Sequence, residues 1–340
     1  MSEDILVKAT AGDARIYAVS TTHLTQYMNE IHHCSPLAAA ALGRTAAGAL
    51  LLAATMKSGE AVTVRFKGDG PLGQVMADAR DYTVRGFVMH PEVMLPSKNG
   101  KLDVGGGVGH YGIVTVTRCP EKGEPFTGVS TLKSGEIAAD LTRYLYVSEQ
   151  TPSSVALGVL IEKDGSVATA GGYFVQLLPE ASEETAKTLE DNILTLPYVT
   201  ELLSSGCTPE EMIRRVAKGL PVEILESHPV SFHCSCSREK VAQMLCGLPE
   251  KDFQEILQDP QTDVYFRSHA ADSLQHLYLV HLVTDLIYIK RPDLTVRPFL
   301  LGFIDFYFWA AFTSSGTKTN SLSLPFLSKP YTARTACCLL

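Results

Sequence analysis

The spacing of apolar and polar residues changes several times along this 340-residue chain, and each change marks a candidate element. Ser35-Pro36 reads as an N-cap followed by proline at the first helical position. The alanine- and leucine-rich stretch after it predicts a helix to about Lys57, where Ser58-Gly59 would stop it. Apolar residues surround most of that helix, so it is expected to be buried. Alternation at Val62, Val64 and Phe66 predicts a strand, as do residues 113–116. Residues 134–146 read as a helix with Ile137, Leu141 and Leu145 on one face. Residues 155–161 and 167–176, flanking Asp164-Gly165, read as a hairpin with a tight turn. From Pro179 the pattern turns helical. Leu189, Ile193 and Leu196 share a face, Gly206 is a stop, and Thr208-Pro209-Glu210-Glu211 resembles a capping box ahead of Met212, Val216 and Leu220. These short helices carry thin apolar stripes, so they depend on docking and can open locally at low cost. The fold class expected is α+β.

Length and composition bound the picture. A chain of 340 residues can bury a large core and hold two or more domains. A net charge of -8 without a clustered basic face argues against nucleic acid. The apolar run at 299–312 has 14 residues, against the roughly 20 needed to span a bilayer, so no membrane helix is expected there. Met1-Ser2-Glu3-Asp4 lacks the positive start of a signal peptide, and a cytoplasmic location is expected. In that compartment eight cysteines suit metal binding or redox sensing better than a disulfide framework. Charge divides the chain further. Residues 179–262 carry 15 acidic and 7 basic side chains, whereas charges nearly cancel on either side. From 263 onward there is no Glu, yet 13 of the 27 aromatic residues lie there. Three segments are therefore expected: a body at 1–178, an acidic segment at 179–262 and an atypical tail at 263–340.

The candidate chemistry centres on Phe232-His233-Cys234-Ser235-Cys236-Ser237-Arg238-Glu239-Lys240. Two thiols one residue apart form half of a metal or redox site, and a four-cysteine zinc site normally closes with a second close pair. The chain has no Cys-x-x-Cys. A nitrogen from His233, His269, His276 or His281 could substitute, with His269 best placed; Cys337-Cys338 is the other close thiol pair. Residues two apart on an extended strand lie roughly 6.5 to 7 Å apart, so a Cys234–Cys236 disulfide needs a bend and stores strain. Strained bridges break readily, which suits a reversible sensor. Gly68-x-Gly70-x-x-Gly73 mimics a dinucleotide fingerprint, but Pro71 inside it favours a plain turn. The glycines at 105–107 and 109 read as a flexible loop. His32-His33-Cys34 reads as packing ahead of the buried helix, and Cys119, Cys207 and Cys246 as inert.

Taken together, several segments resemble the 33 kDa chaperonin family, the redox-regulated heat-shock chaperones. They are His33-Cys34-Ser35-Pro36 with Ala41-Leu42-Gly43-Arg44, Gly68-Asp69-Gly70-Pro71-Leu72-Gly73, Arg85-Gly86-Phe87-Val88, Tyr144 with Ser148-Glu149-Gln150, Ala170-Gly171-Gly172 with Gln176-Leu177-Leu178-Pro179, and the Cys-x-Cys segment. The resemblance covers roughly residues 3–263. It implies an ATP-independent holdase for unfolded or oxidatively damaged proteins. It further implies an acidic helical linker at 179–229 that unfolds on activation, a partial zinc-binding redox-switch domain at 230–262 with Zn2+ on Cys234 and Cys236 in the reduced state and their disulfide on activation, and a homodimer when oxidised. The family's second thiol pair would begin near 264–269, where this chain reads Val264-Tyr265-Phe266-Arg267-Ser268-His269. A frameshift or replaced segment would produce such a break, and a variant site is the other reading. Two alternatives stand beside the holdase: a zinc enzyme using Cys234, Cys236 and a histidine, and a chaperone body with a non-functional switch.

Overall fold

The computed structural model describes residues 3–234, with Gly247, Pro249 and Lys251 beyond them. Around its centre runs helix α2 (Pro36–Ala53), which starts as the sequence predicts: the Ser35 side chain accepts the amide of Ala38, and proline follows in the first turn. Every α2 residue except Pro36 and Arg44 is buried. By length and composition α2 could cross a membrane, but 89% of it lies inside the protein, as befits a core helix. It ends short of Lys57. The amides of Thr55 and Met56 turn to Leu52 and Ala53, and the Thr55 hydroxyl donates to the Leu52 carbonyl at 2.7 Å, tightening the last turn out of α-helical geometry.

Two antiparallel sheets sandwich this helix. The first has the order β10-β1-β2-β9-β8, built from β1 (Ile5–Ala11), β2 (Ala14–Ser20), β8 (Ser153–Ile161), β9 (Val167–Leu177) and β10 (Val222–Pro229). The second has the order β11-β5-β4-β3-β6-β7, from β3 (Ala61–Gly68), β4 (Gln74–Arg80), β5 (Thr83–Val88), β6 (Gly112–Cys119), β7 (Phe126–Thr131) and β11 (Ser231–Phe232), the last of these parallel to β5. Helix α2 packs on β3, β4 and β5 of one sheet and on β2, β8 and β9 of the other. The strands expected around Val64 and 113–116 are β3 and β6, with Val64 opposite Val116. The expected hairpin is β8–β9. The helix expected at 134–146 is α4 (Ile137–Val147). It begins later because the buried Asp140 carboxylate draws the amides of Lys133, Ser134 and Gly135 into a loop at 2.7 to 3.2 Å.

Three expectations need correction. The glycines at 105–109 do not form a flexible loop: Val104–Val108 is a short buried helix, α3, capped by Asp103. Its Gly107 and Val108 carbonyls accept the amides of Leu72 and Gly70 at 2.9 and 3.0 Å. A Cβ on Gly68 or Gly70 would collide with those carbonyls, so the two glycine motifs form one packed corner. The Gly68-x-Gly70-x-x-Gly73 turn is confirmed, and its amides are engaged by α3. Second, 179–229 is helical only through Val216, as α5 (Glu183–Thr195), α6 (Val199–Ser204) and α7 (Pro209–Val216); its final part is strand β10, paired with β1. Third, the compact unit runs on through Cys234, so residues 179–234 pack together with the body. The 263–340 tail and all of 230–262 after Cys234 except Gly247, Pro249 and Lys251 lie outside the described residues.

Candidate functional site

The first sheet is apolar on both faces, because successive side chains of a strand point to opposite sides and the near-continuous apolar runs of β1, β2 and β9 supply both. Leu6, Tyr17, Val19 and Phe174 face the α2 core, whereas Val7, Ala9, Ala11, Ala14, Ile16, Ala18, Tyr173 and Val175 face the other way. That outer face is covered by α5, α6 and α7 through Leu189, Val199, Leu202, Met212, Ile213 and Val216. The cover is thin. Helix α5 buries only Thr185 and Leu189 among its 13 residues, and α6 buries Val199 and Leu202. Helix α7 is better seated, with Pro209, Met212, Ile213 and Val216 buried and the expected capping box present between Thr208 and Glu211.

Polar ties hold both ends of this cover to the β1–β2 turn. Asp13 Oδ2 accepts from the Ser182 amide at 3.1 Å, the Ser182 hydroxyl at 2.9 Å and the Thr185 hydroxyl at 3.2 Å. These bonds, the Ser182 amide first, hold the Asp13 carboxyl below its ordinary range. Its neighbour Gly12, at φ +54°, donates to the Pro221 carbonyl at 3.2 Å. Asn192 of α5 donates to the Val216 and Lys218 carbonyls at 3.0 and 2.8 Å, tying α5 to the end of α7.

After α7 the chain runs along β1 as β10 and crosses to the second sheet. There the amides of Val230, Ser231 and His233 donate to the carbonyls of Asp4, Tyr82 and Val84 at 2.9, 3.1 and 3.2 Å. Phe232 packs on Tyr27 of α1 (Thr22–His32), ring centroids 5.1 Å apart. This crossing delivers Cys234 to Arg85, whose guanidinium Nη1 lies 3.9 Å from the Cys234 sulfur. Arg85 is oriented by Asp78, its register partner on β4, through Nε and Nη2 at 3.1 Å each. Asp78 in turn accepts from Thr63, its partner on β3, at 2.9 Å. Thr63, Asp78 and Arg85 thus form one polar row across three strands, with the thiol at its end. A guanidinium in that place can donate to sulfur and balance its negative charge.

Among the described residues no group of three or more His, Cys, Asp or Glu side chains could hold a metal ion. Of the proposed donors Cys234 and the possible substitute His233 are described; Cys236 and the substitutes His269, His276 and His281 lie outside the described residues, as do Cys246, Cys337 and Cys338. Cys234 by itself is one donor, so the geometry fixes the place of a thiol and not a coordination sphere. Asp78, the carboxylate of the row, is already engaged by Arg85 and Thr63. Cys34 packs half-buried against the core, as expected. Cys207 is buried, and desolvation pushes its thiol up.

The profile of the Hsp33 protein family matches residues 4–269. The chain belongs to the Hsp33 family. Among its relatives, the 33 kDa chaperonin of Desulforamulus reducens is 44% identical over 261 residues, which span 76% of this chain and 88% of the relative. That of Ruminiclostridium cellulolyticum is 43% identical over 262 residues, 75% of this chain and 89% of the relative. A crystal structure of the 33 kDa chaperonin of Thermotoga maritima is similar at a TM-score of 0.69 and 32% identity, covering 75% of this chain and 88% of that one. As a member of the Hsp33 family the protein is a chaperone. The family match ends just past the compositional break at 263, and residues 270–340 lie beyond it. Sequence reading located Cys234 and quoted Arg85 within a motif, but did not bring Arg85, Asp78 or Thr63 to the thiol. Thr63, Asp78 and Arg85 meet only through strand register, and Asp13 and Gly12 give no local sign that they anchor Ser182, 169 residues from Asp13, and Pro221.

Proposed function

We propose that this chain is an ATP-independent holdase under redox control, whose client surface is the outer face of the first sheet. The observation that carries this reading is the construction of that face: eight apolar or aromatic side chains on a continuous sheet, closed by three short helices, of which α5 and α6 bury two residues each. An open apolar surface of that kind binds other exposed apolar chains and promotes aggregation, so a resting chaperone keeps it covered. Helices this short hold their structure through docking and leave at low cost. Clients would be unfolded or oxidatively damaged proteins in the cytoplasm, and the oxidised form would pair as a homodimer.

Cys234 and Cys236 are the proposed ligands and sensors. Zinc held by these thiolates would add its binding free energy to the folded state of the segment that carries them. Oxidation joins the two sulfurs: two electrons pass from the two thiolates to peroxide, which takes two protons from solvent and leaves as two waters. Because β10 and β11 lead directly from the helices to Cys234, a change at the thiols acts on the end of the cover.

Light scattering of a heat-unfolded client tests the reading. With the full chain and no ATP, peroxide-treated protein is expected to suppress aggregation and reduced protein to do so less. Scattering equal to that of client alone in both states would remove the holdase reading, and equal suppression in both would remove the redox control.

A further inference from the structure

Where the chain crosses between the sheets, four side chains from three different elements converge. Lys8 comes from β1, Tyr82 from the two-residue turn between β4 and β5, and Glu226 and His228 from β10. Glu226 is the hub. Its Oε2 accepts from Lys8 Nζ at 3.0 Å and from the Tyr82 hydroxyl at 3.0 Å, with His228 Nε2 at 3.5 Å. The Tyr82 and His228 rings stack at 4.1 Å and 22°, and the Lys8 ammonium sits 5.3 Å from the Tyr82 ring centre. Bonds from Lys8 and Tyr82 hold the Glu226 carboxyl below its ordinary range. For Lys8, burial opposes the charged form, but the bonds to Glu226 and Tyr82 outweigh it and hold the ammonium above its ordinary range.

The position of this cluster gives it leverage. Strand β10 is the edge of the first sheet and is itself poorly buried, with most side chains exposed. Its pairing with β1 is interrupted: Lys8 faces Glu226 and Ala9 faces Ile224, which leaves Leu225 as a bulge without a register partner. Next to this weak point the cluster ties β10 to both sheets at once. Upstream, the Pro221 carbonyl takes the Gly12 amide, and Asn192 spans from α5 to Val216 and Lys218. Downstream, Val230, Ser231 and Phe232 lead to Cys234. A pull on the strap therefore reaches the helices only after this cluster has opened.

We infer that Lys8, Tyr82, Glu226 and His228 form a latch that keeps α5–α7 closed over the first sheet, and that its opening is the step linking events at the thiols to exposure of the client surface. This rests on the holdase reading for its purpose, but not for its structural content. Hydrogen–deuterium exchange on the reduced full chain tests it, comparing Glu226→Gln, Tyr82→Phe and the swap Lys8→Glu with Glu226→Lys. Glu226→Gln is expected to speed exchange at least tenfold in β10 and in α5–α7 while Pro36–Ala53 keeps its protection, and to give aggregation suppression in reductant. The swap, which rebuilds the ion pair with reversed polarity, is expected to return most of the helix protection. If Glu226→Gln loses α2 protection and so misfolds, Tyr82→Phe, which removes only the hydroxyl donor, decides by the same criterion.

Faster exchange in β10 with α5–α7 unchanged would overturn the latch, since the strap would then fray alone. So would a swap as open as Glu226→Gln, or no change in any variant. Failure of oxidised wild-type protein to hold a client would defeat the holdase reading and leave the exchange result to judge the latch separately.

Discussion

Cys234 is held by backbone on one side and charge on the other. The His233 amide fixes the chain to β5, and the Arg85 guanidinium meets the sulfur at 3.9 Å. The Cys-x-Cys motif was legible in the sequence because two thiols one residue apart are a local signal. The row Thr63–Asp78–Arg85 was not, because it exists only through the register of β3, β4 and β5. Without a Cys-x-x-Cys, two positions of a tetrahedral zinc proposed on Cys234 and Cys236 would fall to water or to a weaker donor. Zinc affinity is accordingly expected to fall well below that of a closed four-thiolate site, and Cys234→Ser is expected to abolish what remains. Competition with a chromophoric chelator reads both. Stoichiometric tight zinc that survives Cys234→Ser would place the ligands elsewhere.

At the scale of elements, the cover over the first sheet is fastened at its start by Asp13, which gathers three hydrogen bonds at the first turn of α5. A carboxyl whose folded value is depressed contributes stability that is present above its unfolded value, about 4. That contribution is lost as pH falls through the lower, folded value. Asp13→Asn is therefore expected to lower the midpoint of thermal unfolding at pH 7, with the gap to wild type closing as the pH is taken below about 4. A gap independent of pH would show that the charge of Asp13 plays no part. Elements with one strong local signal were readable. Ser35-Pro36 set the start of α2, the capping box set α7, and Asp164-Gly165 set the β8–β9 hairpin. Strands β1 and β2 were not read, because a sheet buried on both faces does not alternate. Strand β10 was taken as helical linker, since the bulge at Leu225 breaks its period of two. The glycines of α3 cost about 1 kcal/mol each in helix propensity, yet a Cβ would meet the Ser134 carbonyl at Gly105, the Asp103 cap at Gly106 and Leu72 of the β3–β4 turn at Gly107.

For the molecule as a whole, the two sheets serve different ends. Helix α2 and the inner faces of both sheets form the core, the second sheet carries the polar row at Cys234, and among the described residues the outer apolar face of the first sheet is covered by the acidic helices. The strap from β10 to β11 is the one described segment that pairs with both sheets in succession. On the holdase reading proposed above, the surface would change by moving this cover and not by refolding the core. The most direct measurement is a hydrogen–deuterium exchange footprint of a bound unfolded client on the peroxide-treated full chain. Oxidation is expected to expose α5–α7, and client is then expected to protect β1, β2 and β9, with α2 unchanged throughout. Helices that stay protected after oxidation, or a client footprint that avoids those three strands, would contradict the account.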